Sequence, residues 1–427
     1  MKRNCFFQLI SYTVQACVWM LNTIYKMFKA CNIELLPLTF RSVIRSSTAA
    51  QREEASRPDF STPLNFFLDG FDGDSRTTAF QRYFAVLKAR DYLKRRTALR
   101  DEIIKNPDIL TTPVDGPLVI IGLPRSGTTM LQALMNKDPQ FMSPMLWEMV
   151  NAPVPPGRPD NWIKSPRYKK AVKLFKYRDL LGFSDFADKH RVSAELNEEC
   201  VNILSCYFID IVNAISLPGM QSLRHFMYNC PTEHISNAYE FYKMWLQCMF
   251  YKNLDHGKTP LVKAPIHSLY LETYRKFFPN AKFIFTYRNI GEMTASQCSV
   301  LYEVCREHGY VDDPRELGKR VLEFYRHSSQ RTINFLQNSP QDSYMTFGYS
   351  EFTKDPLLAV KKIYSHFGYQ MSPATERSME IHLQQNPKNK HGAHNYSLAD
   401  YGITSKDLKD TFPEFLDHFA NSPEKLL

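Results

Sequence analysis

Short unbroken runs of apolar residues alternate with amphipathic segments through the second part of the chain. Residues 118–121, with the sequence Leu-Val-Ile-Ile, are typical of a strand that is buried on both faces. Three similar runs stand at 260–263, 282–286 and 344–347. Each of the four is followed by a predicted helix: from Thr128 onward, through 270–277, at 290–305 and at 357–367. This alternation predicts an α/β fold, with a central parallel sheet and helices on both faces.

The remaining segments predict additions to this α/β core. Residues 46–62 are polar and predict a linker, whereas residues 77–107 predict a charged amphipathic helix. The stretch 160–255 has a long helical pattern and separates the first α/β unit from the second. The predicted organisation is an N-terminal apolar helix in 1–45, a linker and helical extension in 46–116, and a main domain in 117–427. Residues 160–255 form a large helical insertion in that domain, on the side of the substrate.

The N-terminal apolar segment supports two main interpretations, and a cleaved signal peptide is disfavoured because no clear small-residue cleavage site follows. Residues 5–25 are long enough to span a bilayer. Several polar residues nevertheless fall on one helical stripe, which a lone spanning helix would expose to lipid: Gln8, Ser11, Gln15, Asn22 and Lys26. One interpretation is a helix that lies on a membrane or packs on the protein body, with possible membrane contact through residues 5–28 and a cytoplasmic or membrane-associated location. The alternative is the signal anchor of a Golgi type II membrane protein.

Charge and cysteine usage narrow the classes of partner. Lys and Arg number 53 against 44 Asp and Glu, which gives a formal net charge of +9 and favours an anionic partner such as a nucleotide or a membrane surface. The sequence has no dense basic run and no zinc-finger spacing, so no nucleic-acid partner is expected. None of the nine Cys forms a Cys-x-x-Cys pair, so no metal site is expected.

A glycine-containing loop follows the first predicted strand. Residues 122–129 have the sequence Gly-Leu-Pro-Arg-Ser-Gly-Thr-Thr and lead into a helix. Backbone N–H groups at a helix N-terminus bind anions, and Gly127 lets the backbone come close to a phosphate. The Gly-x-x-x-x-Gly spacing matches the start of a Walker A loop, but Thr128 stands where that loop has Lys. The sequence therefore predicts a phosphate loop and disfavours a P-loop kinase.

A second anion-binding pair follows the strand at 282–286. Arg288 is expected at the carboxyl edge of the sheet, where ligands bind in open α/β folds. Ser296 lies eight residues further, two turns into the next predicted helix. A guanidinium and a hydroxyl at this spacing could hold one phosphate together.

Taken together, these motifs resemble the PAPS-dependent sulfotransferases, whose sulfuryl donor is 3′-phosphoadenosine 5′-phosphosulfate (PAPS). The resemblance rests on the loop at 123–129 and on Tyr-Arg-Asn at 287–289 with its distant Ser. Gly-Tyr-Ser-Glu-Phe-Thr-Lys-Asp-Pro at 348–356 and Lys-His-Gly-Ala-His at 390–394 resemble two later motifs of the family. Leu-Trp-Glu at 146–148 and Glu-Leu-Asn-Glu-Glu-Cys at 195–200 resemble a subgroup best known from bacterial-type members.

The resemblance implies a P-loop-like three-layer fold and a donor site, with PAPS as co-substrate and no metal. The first loop would bind the 5′-phosphosulfate through Arg125, Ser126, Gly127, Thr128 and Thr129. Arg288 and Ser296 would bind the 3′-phosphate, and Tyr349 would lie near the adenine. The late loop would close on the 3′-phosphate through Lys390, His391 and Gly392.

The catalytic base is left open by the sequence. Lys263-Ala264-Pro265 stands where cytosolic small-molecule members have Lys-Thr-His, so Pro265 replaces their catalytic His. Arg125 and Lys263 are expected to neutralise the charge that develops during in-line transfer. Candidate bases are Glu198 and Glu199, on a helix predicted over 193–210, with Glu198 preferred. Two histidines are further candidates, His190 and His267.

The predicted function is transfer of a sulfuryl group from PAPS to a hydroxyl or amine of an unidentified small-molecule, lipid or carbohydrate acceptor. Aromatic residues in 160–255 suit an apolar or ring-bearing acceptor, although a carbohydrate or a peptide tyrosine stays open: Phe183, Phe186, Tyr207, Phe208, Phe226, Tyr239, Phe241 and Trp245. Two alternatives are a membrane-associated nucleotide-binding protein with an inactive sulfotransferase-like site and a P-loop kinase.

Overall fold

The structure, a computed structural model, describes residues 5–150, 156–180, 193–254, 257–307, 312–386 and 397–427. Its centre is a five-stranded sheet with the order β2-β3-β1-β4-β5, in which every neighbouring pair is parallel. The strands are β1 (Leu118–Gly122), β2 (Phe141–Met142), β3 (Thr259–Lys263), β4 (Lys282–Tyr287) and β5 (Tyr344–Gly348). The four predicted strands are confirmed, and the two-residue β2 was not predicted.

Helices surround the sheet and extend from it. Those before β1 are α1 (Cys5–Ala30), α2 (Phe40–Ile44), α3 (Ala49–Ser56), α4 (Pro58–Asp72) and α5 (Ala79–Lys105). Those between β1 and β4 are α6 (Thr128–Met135), α7 (Leu146–Met149), α8 (Pro166–Leu180), α9 (Val201–Leu204), α10 (Ile211–Ser216), α11 (Gln221–Tyr228), α12 (Thr232–Phe250) and α13 (Leu271–Phe277). Those after β4 are α14 (Ile290–Glu307), α15 (Pro314–Gln337), α16 (Tyr349–Lys354), α17 (Pro356–Phe367), α18 (Pro373–Gln385), α19 (Ser405–Thr411) and α20 (Pro413–His418). Short 3₁₀ turns stand at Pro107–Thr111, Trp162–Lys164, Ser205–Tyr207, Pro265–Leu269, Gln341–Ser343 and Leu398–Tyr401.

Alternate residues of the central strand enter two separate cores. Val119 and Ile121 pack into the larger core with α4, α5, α12 and α15. Leu118 and Ile120 pack on the opposite face with α6, α17 and α18. Because side chains alternate along a strand, a sheet that is covered on both faces needs the continuous apolar run seen in β1. The predicted α/β architecture with helices on both faces is confirmed.

Residues 46–62 do not form a linker, so that prediction is wrong. They form α3 and the start of α4, and Thr48 caps α3 through a capping box with Gln51. Arg96 of α5 is fully buried and donates from Nε to Glu54 Oε1 at 2.6 Å and from Nη2 to Asp59 Oδ1 at 2.9 Å. The polar character of this segment therefore comes from helix caps and buried ion pairs. The helix predicted at 77–107 is confirmed as α5.

The N-terminal helix α1 packs against α5 and α8. The hydroxyl of Tyr25, which is buried, donates to Glu34 Oε1 at 3.0 Å, and Asn22 Oδ1 accepts from the Phe80 N–H at 3.3 Å. Among the described residues, no helix combines the length and the apolar character needed to cross a membrane.

Candidate functional site

Side chains from four strands meet at one edge of the sheet. The phosphate loop follows β1, Lys263 is the last residue of β3, Arg288 follows β4 and Tyr349 follows β5. In a parallel sheet the carboxyl ends of all strands lie at the same edge, so these residues converge although up to 224 positions separate them. The position predicted for Arg288 at this edge agrees with the structure.

Two residues of the phosphate loop have left-handed backbone conformations. Gly127 has φ +92°, and a Cβ there would stand 2.8 Å from Tyr349 Cδ2. Arg125 has φ +75°, which is rare for a residue with a side chain and is typically retained at functional sites. The hydroxyl of Ser126 donates to the Leu123 carbonyl and lies 2.7 Å from Thr286 Oγ1, so in this structure it fastens the loop to β4. Thr128 is buried and Thr129 is exposed at the start of α6.

The predicted 3′-phosphate residues form one cluster with the loop. Arg125 Nε donates to Ser296 Oγ at 3.1 Å, and Arg288 Nη1 lies 3.4 Å from the Arg125 carbonyl. The Arg288 guanidinium stacks 4.2 Å from the centroid of the Tyr349 ring. Glu292, in the first turn of α14, accepts from Arg288 Nε at 3.0 Å. The cluster is therefore contiguous and contains Arg125, Arg288, Ser296 and Tyr349. The exposed carboxylate of Glu292 pairs with the Arg288 guanidinium.

Lys263 connects the phosphate loop to the two glutamates that are candidate catalytic bases. Its side chain is 1 % exposed, and its ammonium donates to Thr129 Oγ1 at 3.2 Å and to Glu199 Oε1 at 2.9 Å. Glu198 instead accepts the backbone N–H of Glu199 through its own Oε2 at 3.1 Å. Both glutamates line the same cavity, but Glu199 is the one in direct contact with Lys263.

The backbone around these glutamates explains their placement, and the helix predicted over 193–210 is wrong. Asn197 forms an antiparallel bridge with Met145, and the Glu198 N–H donates to the Pro144 carbonyl at 3.2 Å. The Cys200 N–H donates to the Lys263 carbonyl at 3.2 Å. Because these N–H groups bond across to other segments, regular helix begins only at α9. Glu198 and Glu199 both line the cavity, and the bond to Lys263 places Glu199 beside β3.

Of the two histidine candidates, His267 lies in the described part of the chain, where it belongs to the core. His267 is fully buried in the core, and Tyr239 Oη lies 2.8 Å from its Nδ1. Burial lowers the pKa of His267 to about 3. His190 lies outside the described residues, as do Lys390, His391 and Gly392 of the predicted late loop.

A cavity of about 470 Å³ opens beside the cluster. Arg125, Thr128, Thr129, Glu198 and Glu199 line its polar part, and aliphatic side chains of α10 and α14 line much of the rest. The volume lies in the range of small-molecule sites. The described aromatic residues predicted for the acceptor pocket instead belong to the core, where Phe208, Tyr239 and Trp245 are fully buried. Phe183 and Phe186 lie outside the described residues.

Some supporting residues had no sequence pattern that could reveal them. Tyr325 of α15 is buried and its hydroxyl donates to the Pro124 carbonyl at 2.7 Å. This hydrogen bond fixes the phosphate loop to α15. Thr286 bonds Ser126 from β4. Both lie more than 150 residues from the loop, so only the tertiary fold brings them there. Within the ranges described, no group of three or more His, Cys, Asp or Glu side chains is arranged to hold a metal ion.

Comparisons with known proteins agree with this geometry. Comparison with curated protein sequences gives no match. Among solved structures, sulfotransferase STF9 from Mycobacterium avium is similar with a TM-score of 0.76 and 23% identity, covering 91% of this chain and 96% of that one. Sulfotransferase STF1 from Mycobacterium tuberculosis H37Rv is similar with a TM-score of 0.70 and 21% identity, covering 87% and 96%. These two likenesses concern the fold. Residues 117–373, more than half of the chain, match the Sulfotransferase family, and the chain therefore belongs to that family.

Proposed function

We propose that the protein transfers a sulfuryl group from PAPS to an acceptor hydroxyl. The observation that carries the proposal is the buried Lys263, whose ammonium bonds Thr129 of the phosphate loop and Glu199 of the cavity wall. A single cation thus connects a candidate donor site to a candidate base. Transfer of a charged group between these two sides requires positioning and charge stabilisation, which fixed cations in a largely buried site supply.

The residues present fit a nucleotide that carries two separate anionic groups. The loop has no Cβ at Gly127, where one would collide with the Tyr349 ring, and Arg125, Lys263 and Arg288 bring three cations to the same edge. PAPS would supply a sulfuryl group already activated by its link to phosphate. The loop N–H groups, Thr128 and Thr129 would hold the 5′ end, and Arg288 with Ser296 the 3′-phosphate. Lys390, His391 and Gly392 remain predicted contributors.

Glu199 is the proposed base, in preference to Glu198. Its Oε1 is held by Lys263, and its Oε2 makes no hydrogen bond to the described residues, which leaves that oxygen to take the acceptor proton. Glu198 is 8 % exposed and caps the Glu199 N–H. A base must lie within hydrogen-bond reach of the proton that it removes, and the contact with Lys263 puts Glu199 beside the phosphate loop.

The test measures donor binding and transfer separately on the full chain. Calorimetric titration with adenosine 3′,5′-bisphosphate should give micromolar-range binding that falls at least tenfold in Arg288→Ala. Arg377→Ala, which changes an exposed arginine of α18, is the matched control and should bind like the wild type. Lys263→Ala should lower transfer of ³⁵S from labelled PAPS at saturating donor.

The two measurements distinguish the alternatives. Absence of nucleotide binding by the folded wild type would overturn the proposed function. Binding without transfer to any of a broad acceptor panel would favour an inactive, sulfotransferase-like binding protein.

A further inference from the structure

We propose that the acceptor is an alcohol with a mainly aliphatic body, such as a long-chain, terpenoid or steroid alcohol. This inference rests on the proposed function and specifies the substrate class of the same site. It comes from the cavity beside Lys263, whose two ends differ sharply in chemistry.

The wall of the cavity away from the phosphate loop is aliphatic. Helix α10 supplies Ile211, Val212 and Ile215, and helix α14 supplies Val300, Leu301 and Val304. The two helices pack against each other, so their side chains form one continuous surface. Such a surface is favourable for burying methylene and methyl groups and offers no hydrogen bond to a polar body.

The cavity also has a direction. Ser296, which bonds Arg125, and Val304 belong to the same helix, eight residues apart. At a rise of about 1.5 Å per residue, the aliphatic wall extends roughly 12 Å from the donor cluster. The groups that handle charge, Arg125, Thr129 and Glu199, lie at the beginning of this path. An acceptor hydroxyl at Glu199 would therefore continue into an extended apolar body.

This lining disfavours sugars and aromatic peptides. Each buried sugar hydroxyl needs a hydrogen-bond partner, and an unpaired one is costly. In the described part of the cavity wall, Asn202 and Gln297 are the polar side chains beyond the donor cluster, and the Asn202 Nδ2 already donates to the Glu199 carbonyl at 3.1 Å. Phe175 is the aromatic ring among the described lining residues, so stacking platforms for a sugar or a phenol are scarce.

The test uses direct binding as well as turnover. The full chain, saturated with adenosine 3′,5′-bisphosphate, is titrated with straight-chain primary alcohols from hexanol to decanol, and with glucose and a tyrosine-containing peptide. Affinity should rise about threefold to fourfold with each methylene added. Leu174→Asp places a charge on a lining residue that is 49 % exposed at the cavity mouth, and should weaken decanol binding at least tenfold. Leu358→Asp, also at a leucine 49 % exposed but on α17, should not.

The outcomes separate the two levels of inference. No binding of the adenosine bisphosphate overturns the proposed function and the acceptor class with it. Two outcomes, each with normal nucleotide binding, overturn the aliphatic acceptor alone. One is an alcohol affinity that does not depend on chain length. The other is stronger binding of, and ³⁵S transfer to, glucose or the peptide. Chain-length dependence that is lost in Leu174→Asp and kept in Leu358→Asp supports it.

A separate observation on α1 carries a second proposal: this helix docks on an anionic lipid surface. Met20, Leu21, Ile24, Met27 and Phe28 follow the spacing of one helical face, and all are between 39 % and 66 % exposed. Tyr25 and Asn22, on the opposite face, hold the helix to the body of the protein. The apolar stripe therefore points away from the described contacts of α1.

The charge of α1 favours lipid headgroups as the occupant. The helix contains Lys26 and Lys29 and no Asp or Glu, and Trp19, 70 % exposed, lies beside the stripe. Cationic residues and Trp that flank an apolar face are typical of helices that lie in the plane of a membrane surface. The contact predicted from residues 5–28 is thus proposed as an interfacial one.

The test is flotation of the full chain with vesicles of phosphatidylcholine, with and without phosphatidylserine. Binding should require phosphatidylserine, weaken with salt, and fall at least tenfold in the double variant Met20→Asp/Met27→Asp. The matched control Leu358→Asp/Ile381→Asp changes two similarly exposed residues elsewhere and should bind like the wild type. The proposal is overturned if the wild type does not bind the vesicles. It is also overturned if the wild type self-associates without binding lipid and the variant Met20→Asp/Met27→Asp abolishes that self-association.

Discussion

Two adjacent carboxylates with different surroundings give the sharpest prediction at the scale of single residues. Glu199→Gln keeps the size of the side chain but cannot accept a proton, so we expect kcat to fall about a hundredfold to ten-thousandfold. Affinity for adenosine 3′,5′-bisphosphate should change by less than about threefold, because no 3′-phosphate residue is altered. Glu198→Gln retains an oxygen to accept the Glu199 N–H, and its kcat should stay within about tenfold of the wild type. A reversed order of the two variants would assign the base to Glu198.

Gly127 offers a comparison between two glycines with similar backbones. Gly127 has φ +92° and Gly368, at the end of α17, has φ +76°, so alanine at either position should cost about 1–2 kcal/mol of stability. A Cβ at Gly127 would also lie 2.8 Å from the Tyr349 ring, whereas a Cβ at Gly368 would meet nothing within 4 Å. Gly127→Ala should therefore weaken adenosine bisphosphate binding at least tenfold in calorimetry, since the ring supports Arg288. Equal affinity in the two variants would show that the loop tolerates the clash.

The contact between Arg288 and Glu292 predicts a variant with improved donor binding. Glu292 is exposed, and its carboxylate occupies the guanidinium that we assign to the 3′-phosphate. Glu292→Gln should remove this competition and tighten adenosine bisphosphate binding about threefold to tenfold in the same titration. Glu316→Gln changes an equally exposed glutamate that pairs with Lys319, and should leave the affinity unchanged. Weaker binding in Glu292→Gln would mean that the carboxylate positions Arg288 for the nucleotide.

At the scale of elements, α3, α4 and α5 are joined by a buried ionic cluster. Glu54, Asp59 and Arg96 are each less than 8 % exposed, and Arg100 also bonds Glu54. Glu54→Gln would remove one of the two carboxylates that pair with the buried Arg96, so we expect a loss of up to about 3–5 kcal/mol in the free energy of urea unfolding. Glu380→Gln, which breaks the exposed pair with Arg377, should cost less than about 1 kcal/mol. Similar small losses in both would show that the cluster is not essential for packing of these helices.

The same helices show which elements the sequence could predict. Strands β1, β3 and β4 are buried along most of their length and β5 is partly buried, so apolar runs indicate all four without further context. Residues 46–62 looked like a linker because buried ion pairs and helix caps have the composition of an exposed loop. The segment 193–200 looked helical because nothing local shows that its N–H groups bond Pro144 and Lys263. Strand β2 has two residues, which is too short to produce a pattern.

The candidate site also contains some residues that the sequence could predict and others that it could not. The phosphate loop and Arg288 were predicted because each follows a strand, whereas Lys263 was predicted from the resemblance to the sulfotransferases. Two features depend on contacts between segments far apart in sequence. They are the pairing of Lys263 with Glu199 and the hydrogen bond from Tyr325 to the phosphate loop. Preference between Glu198 and Glu199 could not come from sequence, because it depends on the bond between Lys263 and Glu199, which are 64 positions apart.

At the scale of the whole molecule, the N-terminal helices and the sheet share one apolar core. Residues of α4, such as Phe60 and Phe67, belong to the same buried cluster as Val119 of β1 and Trp245 of α12. The region before residue 117 is thus packed into the described sulfotransferase fold. Stability of the described molecule consequently depends on groups in this shared core, including ionisable ones that the proposed mechanism does not use.

His267 is such a group, and it predicts how stability responds to acid. Its pKa is about 3 in the folded protein, where burial disfavours the charged form, against an ordinary value of 6.5. Below about pH 6.5 the unfolded chain binds a proton that the folded chain does not, so stability falls as pH falls until about pH 3. The slope approaches 1.4 kcal/mol per pH unit for one such group. His234, whose pKa burial lowers to about 4, adds a contribution of the same sign.

The variant His267→Phe should make this pH dependence shallower. At pH 7 it should be less stable by about 1–3 kcal/mol, because the Tyr239 hydroxyl loses its buried partner. Between pH 6 and pH 4 its unfolding free energy in urea should fall less steeply than that of the wild type, by up to about 1.4 kcal/mol per pH unit. His225→Phe changes an exposed histidine of α11 and should keep the wild-type slope. Identical slopes in His267→Phe and the wild type would mean that His267 is protonated to the same extent in the folded and unfolded chains, against the burial seen in the structure.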